Sequence, residues 1–312
     1  MVISMRPPLR FEIRDSMFGK NAKHRKTSIE KRITNNEIMT EDKNIYTQLN
    51  NGIKMPLLGL GVYDMYKKVA ENATNQALEA GYRLIDTASM YKNETEIGNV
   101  IRQSSVPRED IFLTTKVNNL EQGYSQTLRS YERSLKKLQT DYVDLYLIHW
   151  PIKATRKDTW KALETIYQEK RVRAIGVANY LSPFLDELKE YSTITPALNQ
   201  VEFSPYLYLE DLLKRCQTDN IQLQAYTPLV RGMRMDDPKL QSLAKKYEKT
   251  PAQIILRWII QLGVSAIPKS SNPARIKENF DIFDFEISPE DCFFMNTFNE
   301  NLRIVDNPMG MF

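Results

Sequence analysis

The sequence predicts an α/β protein, a (β/α)8 TIM barrel preceded by an N-terminal β-hairpin. Three observations carry this expectation. Short apolar segments alternate with segments of helical period eight times between residues 57 and 279. The apolar segments are apolar on both faces, the longest being Val143-Asp144-Leu145-Tyr146-Leu147-Ile148 with one interior acid, and such runs belong to buried parallel strands. No linker or compositional break divides the chain beyond residue 45, so a single domain over 45–312 is expected, and eight strand-helix units close a sheet on itself.

The elements follow in order. Residues 45–56 hold Asn50-Asn51-Gly52 between two short alternating runs, a hairpin signal. Residues 57–61 read as the first barrel strand, closed by glycine, with a helix over 67–80. Beyond Gly81, residues 83–87 form the second strand, followed by a loop with Tyr91 and a helix over 94–102; residues 111–116 are the third strand. The clearest helix comes next, because Tyr124, Leu128, Tyr131, Leu135 and Leu138 recur at steps of four and three on one face. The fourth strand is the long apolar run, ended by Pro151, which cannot donate to a ladder. A helix over 159–169, a fifth strand at 174–177, a helix over 183–191, a sixth strand at 197–203, a helix over 210–216 and a seventh strand at 222–226 continue the alternation. Helices over 238–247 and 251–261 precede the eighth strand at 264–267 and a last helix over 273–279.

Formal net charge is +4, but the positive surplus sits in residues 1–40, which hold nine Lys and Arg against four Asp and Glu. The remainder is close to neutral and has no basic footprint for nucleic acid. Cys216 and Cys292 are too few for a disulfide framework or a thiolate metal site and fit a reducing, cytoplasmic setting. No apolar run reaches the roughly 20 residues of a membrane span. Residues 1–44 keep neither period and read as a poorly ordered basic arm, either a true tail or sequence upstream of a natural start at Met39. The expected partner is a small molecule, with no nucleic acid, membrane or metal involved and a monomeric chain.

In such a barrel the residues at the C-terminal strand ends converge on one mouth. They are Asp86, Lys116, His149, Asn179, Asn199 with Gln200, Tyr226, and Lys269 with Ser270; Tyr91, in the loop beyond Asp86, reaches over the same mouth. A lone lysine or aspartate at a strand end is usually a solvated rim residue, and His149 alone reads equally well as a satisfied core imidazole. The ring as a whole points to chemistry. A phenol, with an ordinary pKa near 10, gives up its proton more readily beside an ammonium such as Lys116. Asp86 would pair with Lys116, and His149 would hydrogen-bond a substrate carbonyl oxygen. Such a set protonates an alkoxide as it forms but supplies no electrons, so a hydride donor is implied. Lys269, Ser270 and Arg275 set two cations and a hydroxyl at a helix start, where free amides and the dipole favour a phosphate; a charged helix start without a ligand has the same sequence. No Gly-x-Gly-x-x-Gly follows a strand, which argues against a Rossmann-type site, and Tyr226 could stack on a flat ring.

The passages Gly59-Leu60-Gly61, Gly81-Tyr82-Arg83-Leu84-Ile85-Asp86-Thr87-Ala88, Tyr91-Lys92-Asn93-Glu94, Thr114-Thr115-Lys116, Leu147-Ile148-His149-Trp150-Pro151, Gly176-Val177-Ala178-Asn179, Asn199-Gln200-Val201-Glu202 and Ile267-Pro268-Lys269-Ser270 with Arg275 together resemble the aldo-keto reductases. That family consists of NADPH-dependent carbonyl reductases on a (β/α)8 barrel. The resemblance implies Tyr91 as general acid, assisted by Lys116, Asp86 and His149. It implies Asn179 and Gln200 on the nicotinamide carboxamide, Tyr226 stacked on the ring, and Lys269, Ser270 and Arg275 on the 2′-phosphate. Glu278 and Asn279 would lie near the adenine, and Tyr63 and Trp150 would line the substrate pocket. Ala178 departs from the family, which usually has a serine there; one lost neutral hydrogen bond costs on the order of 1 kcal/mol. Short loops after Pro151 and near the chain's end resemble the microbial, prostaglandin F synthase-like and diketogluconate reductase-like branch. The implied function is reduction of aldehydes, small ketones and dicarbonyls to alcohols by hydride transfer from NADPH. Two alternatives stand beside it: a non-catalytic NADPH-binding barrel serving as a regulatory or structural subunit, and a lyase forming a Schiff base through Lys116.

Overall fold

The computed structural model describes residues 45–311, so the basic arm expected over residues 1–44 lies outside the described residues. A hairpin comes first, β1 (Tyr46–Gln48) antiparallel to β2 (Lys54–Pro56). Its turn uses Gly52 at φ 84°, in the left-handed region that glycine enters without a Cβ penalty. Asn51 accepts from the Ile53 amide and donates to the Arg173 carbonyl, while Asn50 donates to the Pro196 carbonyl. These bonds pin the hairpin under the barrel. Leu49 and Met55 pack there with Leu84, Phe112, Leu145 and Leu198.

Eight parallel strands follow, each hydrogen-bonded to the next: β3 (Leu60–Gly61), β4 (Leu84–Asp86), β5 (Phe112–Val117), β6 (Val143–Ile148), β7 (Val172–Ala178), β8 (Leu198–Glu202), β9 (Gln222–Tyr226) and β10 (Ser265–Ala266). The sheet closes where Leu58 bridges Ala266 in parallel, with Gly59 N 2.9 Å from the Ala266 carbonyl and Ala266 N 2.7 Å from that of Leu57. At this seam a Cβ on Gly61 would stand 2.8 Å from the Ile267 carbonyl oxygen, so only glycine lets the edges meet.

Helices cover the outside: α1 (Lys67–Ala80), α2 (Glu94–Gln103), α3 (Tyr124–Leu138), α4 (Arg156–Gln168), α5 (Ser182–Tyr191), α6 (Glu210–Thr218), α7 (Pro238–Tyr247), α8 (Pro251–Gln261) and α9 (Pro273–Phe280). The stripe on α3 is buried only in part: Tyr131 and Leu138 are fully buried, Leu128 and Leu135 are half-buried and Tyr124 is exposed, while Thr127, Ser130 and Ser134 complete the buried face. Helix α4 begins three residues earlier than its apolar pattern indicates. Its first turn is held by polar contacts instead: Arg156 donates to the Pro151 carbonyl and pairs with Glu187. Two further helices, α10 (Pro289–Asn296) and α11 (Pro308–Met311), carry no usable period; α10 buries only Met295, so no stripe announces it. Among the described residues no helix is long and apolar enough to cross a membrane.

Asp144, the acid inside the apolar run, is fully buried between Arg108 and Arg173 and also accepts from the Leu113 amide. Buried charge of this kind is tolerated only when paired and hydrogen-bonded. With that end of the sheet fixed by the pair and the hairpin plug, the opposite, C-terminal ends of the strands carry the polar residues.

Candidate active site

Strand alternation places the first group. Asp86 ends β4, Lys116 stands near the end of β5 opposite Leu147, and His149 immediately follows β6. Lys116 Nζ donates to Asp86 Oδ1 at 2.5 Å and to the Thr87 carbonyl at 2.9 Å, and lies 3.4 Å from the Tyr91 hydroxyl. Tyr91 rides on a 3-10 turn, Ser89–Tyr91, which Ser89 ties to β5 by donating to the Lys116 carbonyl at 3.0 Å. The Tyr91 ring meets the His149 ring edge-on at 5.5 Å between centroids, and the Tyr63 ring at 5.1 Å.

Burial and charge set the protonation of this group. Burial lowers the Lys116 pKa against the opposing pull of Asp86, and burial raises that of Asp86 against Lys116 and Gln200. Tyr91 is held well above the ordinary phenol range, first by burial and then by Asp86. This is opposite to the direction expected from Lys116 alone, because desolvation dominates and the carboxylate 2.5 Å from the ammonium offsets part of its field. His149 is held well below the ordinary imidazole value by burial and by Lys116. Both directions favour a neutral imidazole and a protonated phenol at neutral pH. His149 Nδ1 is buried without a hydrogen-bond partner, which leaves Nε2 as the nitrogen able to face a ligand.

A second group adjoins the first. Asn179, in the left-handed region at φ 66°, donates to the His149 carbonyl at 2.9 Å and accepts from the Tyr226 hydroxyl at 2.7 Å. Gln200 Nε2 is turned inward, donating to Asp86 Oδ2 at 2.7 Å and to Gln224 Oε1 at 2.8 Å. Ala178, beside Gln200 in the register, is fully buried. Trp150 is 8% exposed, with its carbonyl bonded by Gln122, whereas Tyr63 is 54% exposed.

A third group lies along α9 and the segment before it. Lys269 and Arg275 are exposed, and among the described residues no carboxylate pairs with either. The Ser270 hydroxyl accepts from the Asn272 amide, and Asn272 caps α9 by accepting from the Arg275 amide at 3.1 Å. Two unpaired cations at a capped helix start fit a phosphate. Glu278 accepts from the Thr250 hydroxyl at 2.7 Å, against the start of α8, and Asn279 is buried.

Three supporting residues carry no local sequence signal of their role. Asn93 is fully buried, accepts from the Thr87 hydroxyl and donates to the Val62 and Met65 carbonyls, locking the loops that bear Tyr91 and Tyr63 together. Glu202 accepts from the amides of Ile304 and Val305 at 2.6 and 3.3 Å and so fastens the C-terminal segment beside β8. Gln224 holds Gln200. Each acts through a partner distant in sequence, although Asn93 and Glu202 fall inside the quoted motifs.

The model of the Aldo/keto reductase family matches residues 58–299. Glyoxal reductase of Bacillus subtilis (strain 168) is 47% identical over 262 residues, covering 84% of this chain and 95% of that protein. MGS-M4, an aldo-keto reductase enzyme from a Medee basin deep-sea metagenome library, is similar in structure with a TM-score of 0.82 at 44% identity, over 83% of this chain and 97% of that one. The Bombyx mori aldo-keto reductase AKR2E4, solved in complex with NADP, gives a TM-score of 0.79 at 37% identity over 84% of this chain and 94% of its own.

Proposed function

The chain belongs to the aldo/keto reductase family, and from that premise we propose that it is an NADPH-dependent oxidoreductase reducing aldehydes, small ketones and dicarbonyls to alcohols, with Tyr91 as the general acid. The observation that carries this reading is the Tyr91 hydroxyl 3.4 Å from a buried ammonium, beside an imidazole held neutral. NADPH, when bound, would supply the hydride. Tyr91 gives its hydroxyl proton to the carbonyl oxygen as charge develops there, and Lys116 stabilises the phenolate left behind. Asp86 fixes the ammonium in place. His149 offers a neutral hydrogen bond from Nε2 to the same oxygen, which orients the substrate without competing as an acid. Asn179, Gln200 and Tyr226 suit an amide-bearing flat ring, and Lys269, Ser270 and Arg275 suit the 2′-phosphate that distinguishes NADPH from NADH. Tyr63 and Trp150 form an aromatic wall for the substrate. The glyoxal-reducing relative supports dicarbonyls as one substrate class.

The test is a panel of nitrobenzaldehyde, methylglyoxal and phenanthrenequinone, followed by NADPH absorbance with NADH in parallel. Turnover is expected with NADPH, and Tyr91→Phe should lower kcat by about 10²- to 10⁴-fold while still binding NADPH. No turnover on any of the three, or a Tyr91→Phe variant as fast as the parent, sinks the proposal. Borohydride trapping of a carbonyl on Lys116 would instead favour the lyase.

A further inference from the structure

The reaction just described does not use Gln224, yet the polar chain inside the barrel begins at this residue. Gln224 is fully buried in β9 and stands opposite Gln200 in the register. From it a continuous path runs through Gln200 to Asp86 Oδ2, from Asp86 Oδ1 to Lys116, and on to the Tyr91 hydroxyl. We propose that Gln224 is a positioning residue: its Oε1 takes the second proton of the Gln200 amide, whose way round Asp86 sets, and so holds in place that amide and the face it offers to the nicotinamide amide. This inference rests on the roles proposed above for Gln200, Lys116 and Tyr91.

Hydrogen-bond inventory supplies the reason. A carboxylate only accepts, so Gln200 must turn its NH2 toward Asp86. That nitrogen has two protons, and the second goes to Gln224 Oε1 at 2.8 Å. Rotating the Gln224 amide by half a turn would set NH2 against NH2, so the pair has one compatible arrangement. With both protons spent, Gln200 keeps Oε1, an acceptor, for a ligand. It can therefore take the NH2 end of a carboxamide and not the oxygen end, which discriminates between the two orientations of the nicotinamide amide.

The arrangement is not explained by stability. Gln224 Nε2 is buried without a partner, and so is the Thr114 hydroxyl, which belongs to the residue paired with Asp86 in the register. A methionine at position 224 would fill similar volume and remove the Nε2 orphan, but it would leave the second Gln200 N–H without its acceptor.

The experiment compares the full chain with Gln224→Met and Gln224→Glu, measuring NADPH dissociation by fluorescence titration, kcat and KM on a substrate from the panel, and thermal melting. One lost neutral hydrogen bond predicts an NADPH Kd raised about 2- to 10-fold in Gln224→Met, with a lower kcat and a melting temperature close to the parent's, since one unpaired buried N–H replaces another. Gln224→Glu, whose carboxyl burial beside Asp86 keeps protonated, retains a carbonyl acceptor at the same place and should return the Kd to within about 2-fold of the parent. Unchanged Kd and kcat in Gln224→Met overturn the proposal. So does a melting loss in both variants with no rescue of Kd by glutamate, which marks a packing role only. A parent that binds NADPH but reduces no carbonyl defeats the proposed function, while the Kd comparison still decides the role of Gln224. A parent that fails to bind NADPH overturns both.

Discussion

Replacing Lys116 by methionine probes the pair that organises the mouth. The ammonium is fully buried, 2.5 Å from a carboxylate that is itself 2% exposed, so the substitution leaves Asp86 as a buried charge with Gln200 as its remaining side-chain donor. Breaking a buried ion pair from one side costs about 3–5 kcal/mol. Each kcal/mol moves the melting temperature of a protein of about 150–250 residues by about 2–4 °C, and a chain of 312 residues falls at the low end, about 2 °C, which gives a drop of about 6–10 °C. The loss should depend on pH. Burial already raises the Asp86 pKa, and removing Lys116, its main lowering influence, raises it further. A carboxyl whose pKa is raised on folding is at no disadvantage below its ordinary value near 4, and loses stability as pH rises through its folded value. The variant should therefore melt closest to the parent in acid solution and furthest from it at neutral pH. Adding Asp86→Leu to Lys116→Met removes the stranded charge and should recover much of the loss, although reductase activity stays absent in both. Thermal melts by circular dichroism at pH 5 and pH 7.5 read all of this. A single variant melting within about 2 °C of the parent at neutral pH, or a double variant melting below the single one, would refute the reasoning.

Three further outcomes are expected. Arg275→Leu should raise the NADPH Kd by about 10- to 150-fold, the loss of one charged hydrogen bond, and leave NADH binding unchanged in parallel fluorescence titrations; equal losses for both cofactors would remove Arg275 from the 2′-phosphate. Because His149 is held well below its ordinary pKa, it contributes stability present above about pH 6.5 that is lost as pH falls, by up to about 1.4 kcal/mol per pH unit; urea unfolding of His149→Gln should show a flatter acid dependence than the parent, and identical slopes would contradict the assignment. Asn93→Ala leaves the Val62 and Met65 carbonyls without their donor and should cost about 1–3 kcal/mol or more while lowering kcat by loosening the Tyr91 turn; full activity at reduced stability would confine Asn93 to folding.

Much of this molecule is legible from period and punctuation. The alternation of apolar runs and helical stripes yields the barrel because each signal is local: Asn50-Asn51-Gly52 specifies a hairpin turn wherever it stands, and the Tyr131–Leu138 face must be covered by something. The strand-end residues are legible for the same reason, since closing eight parallel strands brings Asp86, Lys116 and His149 to one rim with no further information. Helices α10 and α11 escaped because their stability comes from docking, not from a stripe, and the start of α4 escaped because an arginine pair with Glu187 holds it. The protonation of the site was not legible either. Lys116 in the sequence suggests an acidified phenol, but the charge that Tyr91 experiences depends on how near Asp86 comes and how much water is excluded, and those are distances and burial, which no one-dimensional pattern contains. The inward turn of Gln200 and the hold of Gln224 upon it belong to the same class. Composition and spacing determined by themselves which chemical groups reach the mouth; only the tertiary structure decided which of them spend their hydrogen bonds on each other, because that depends on contacts between strands far apart in the chain.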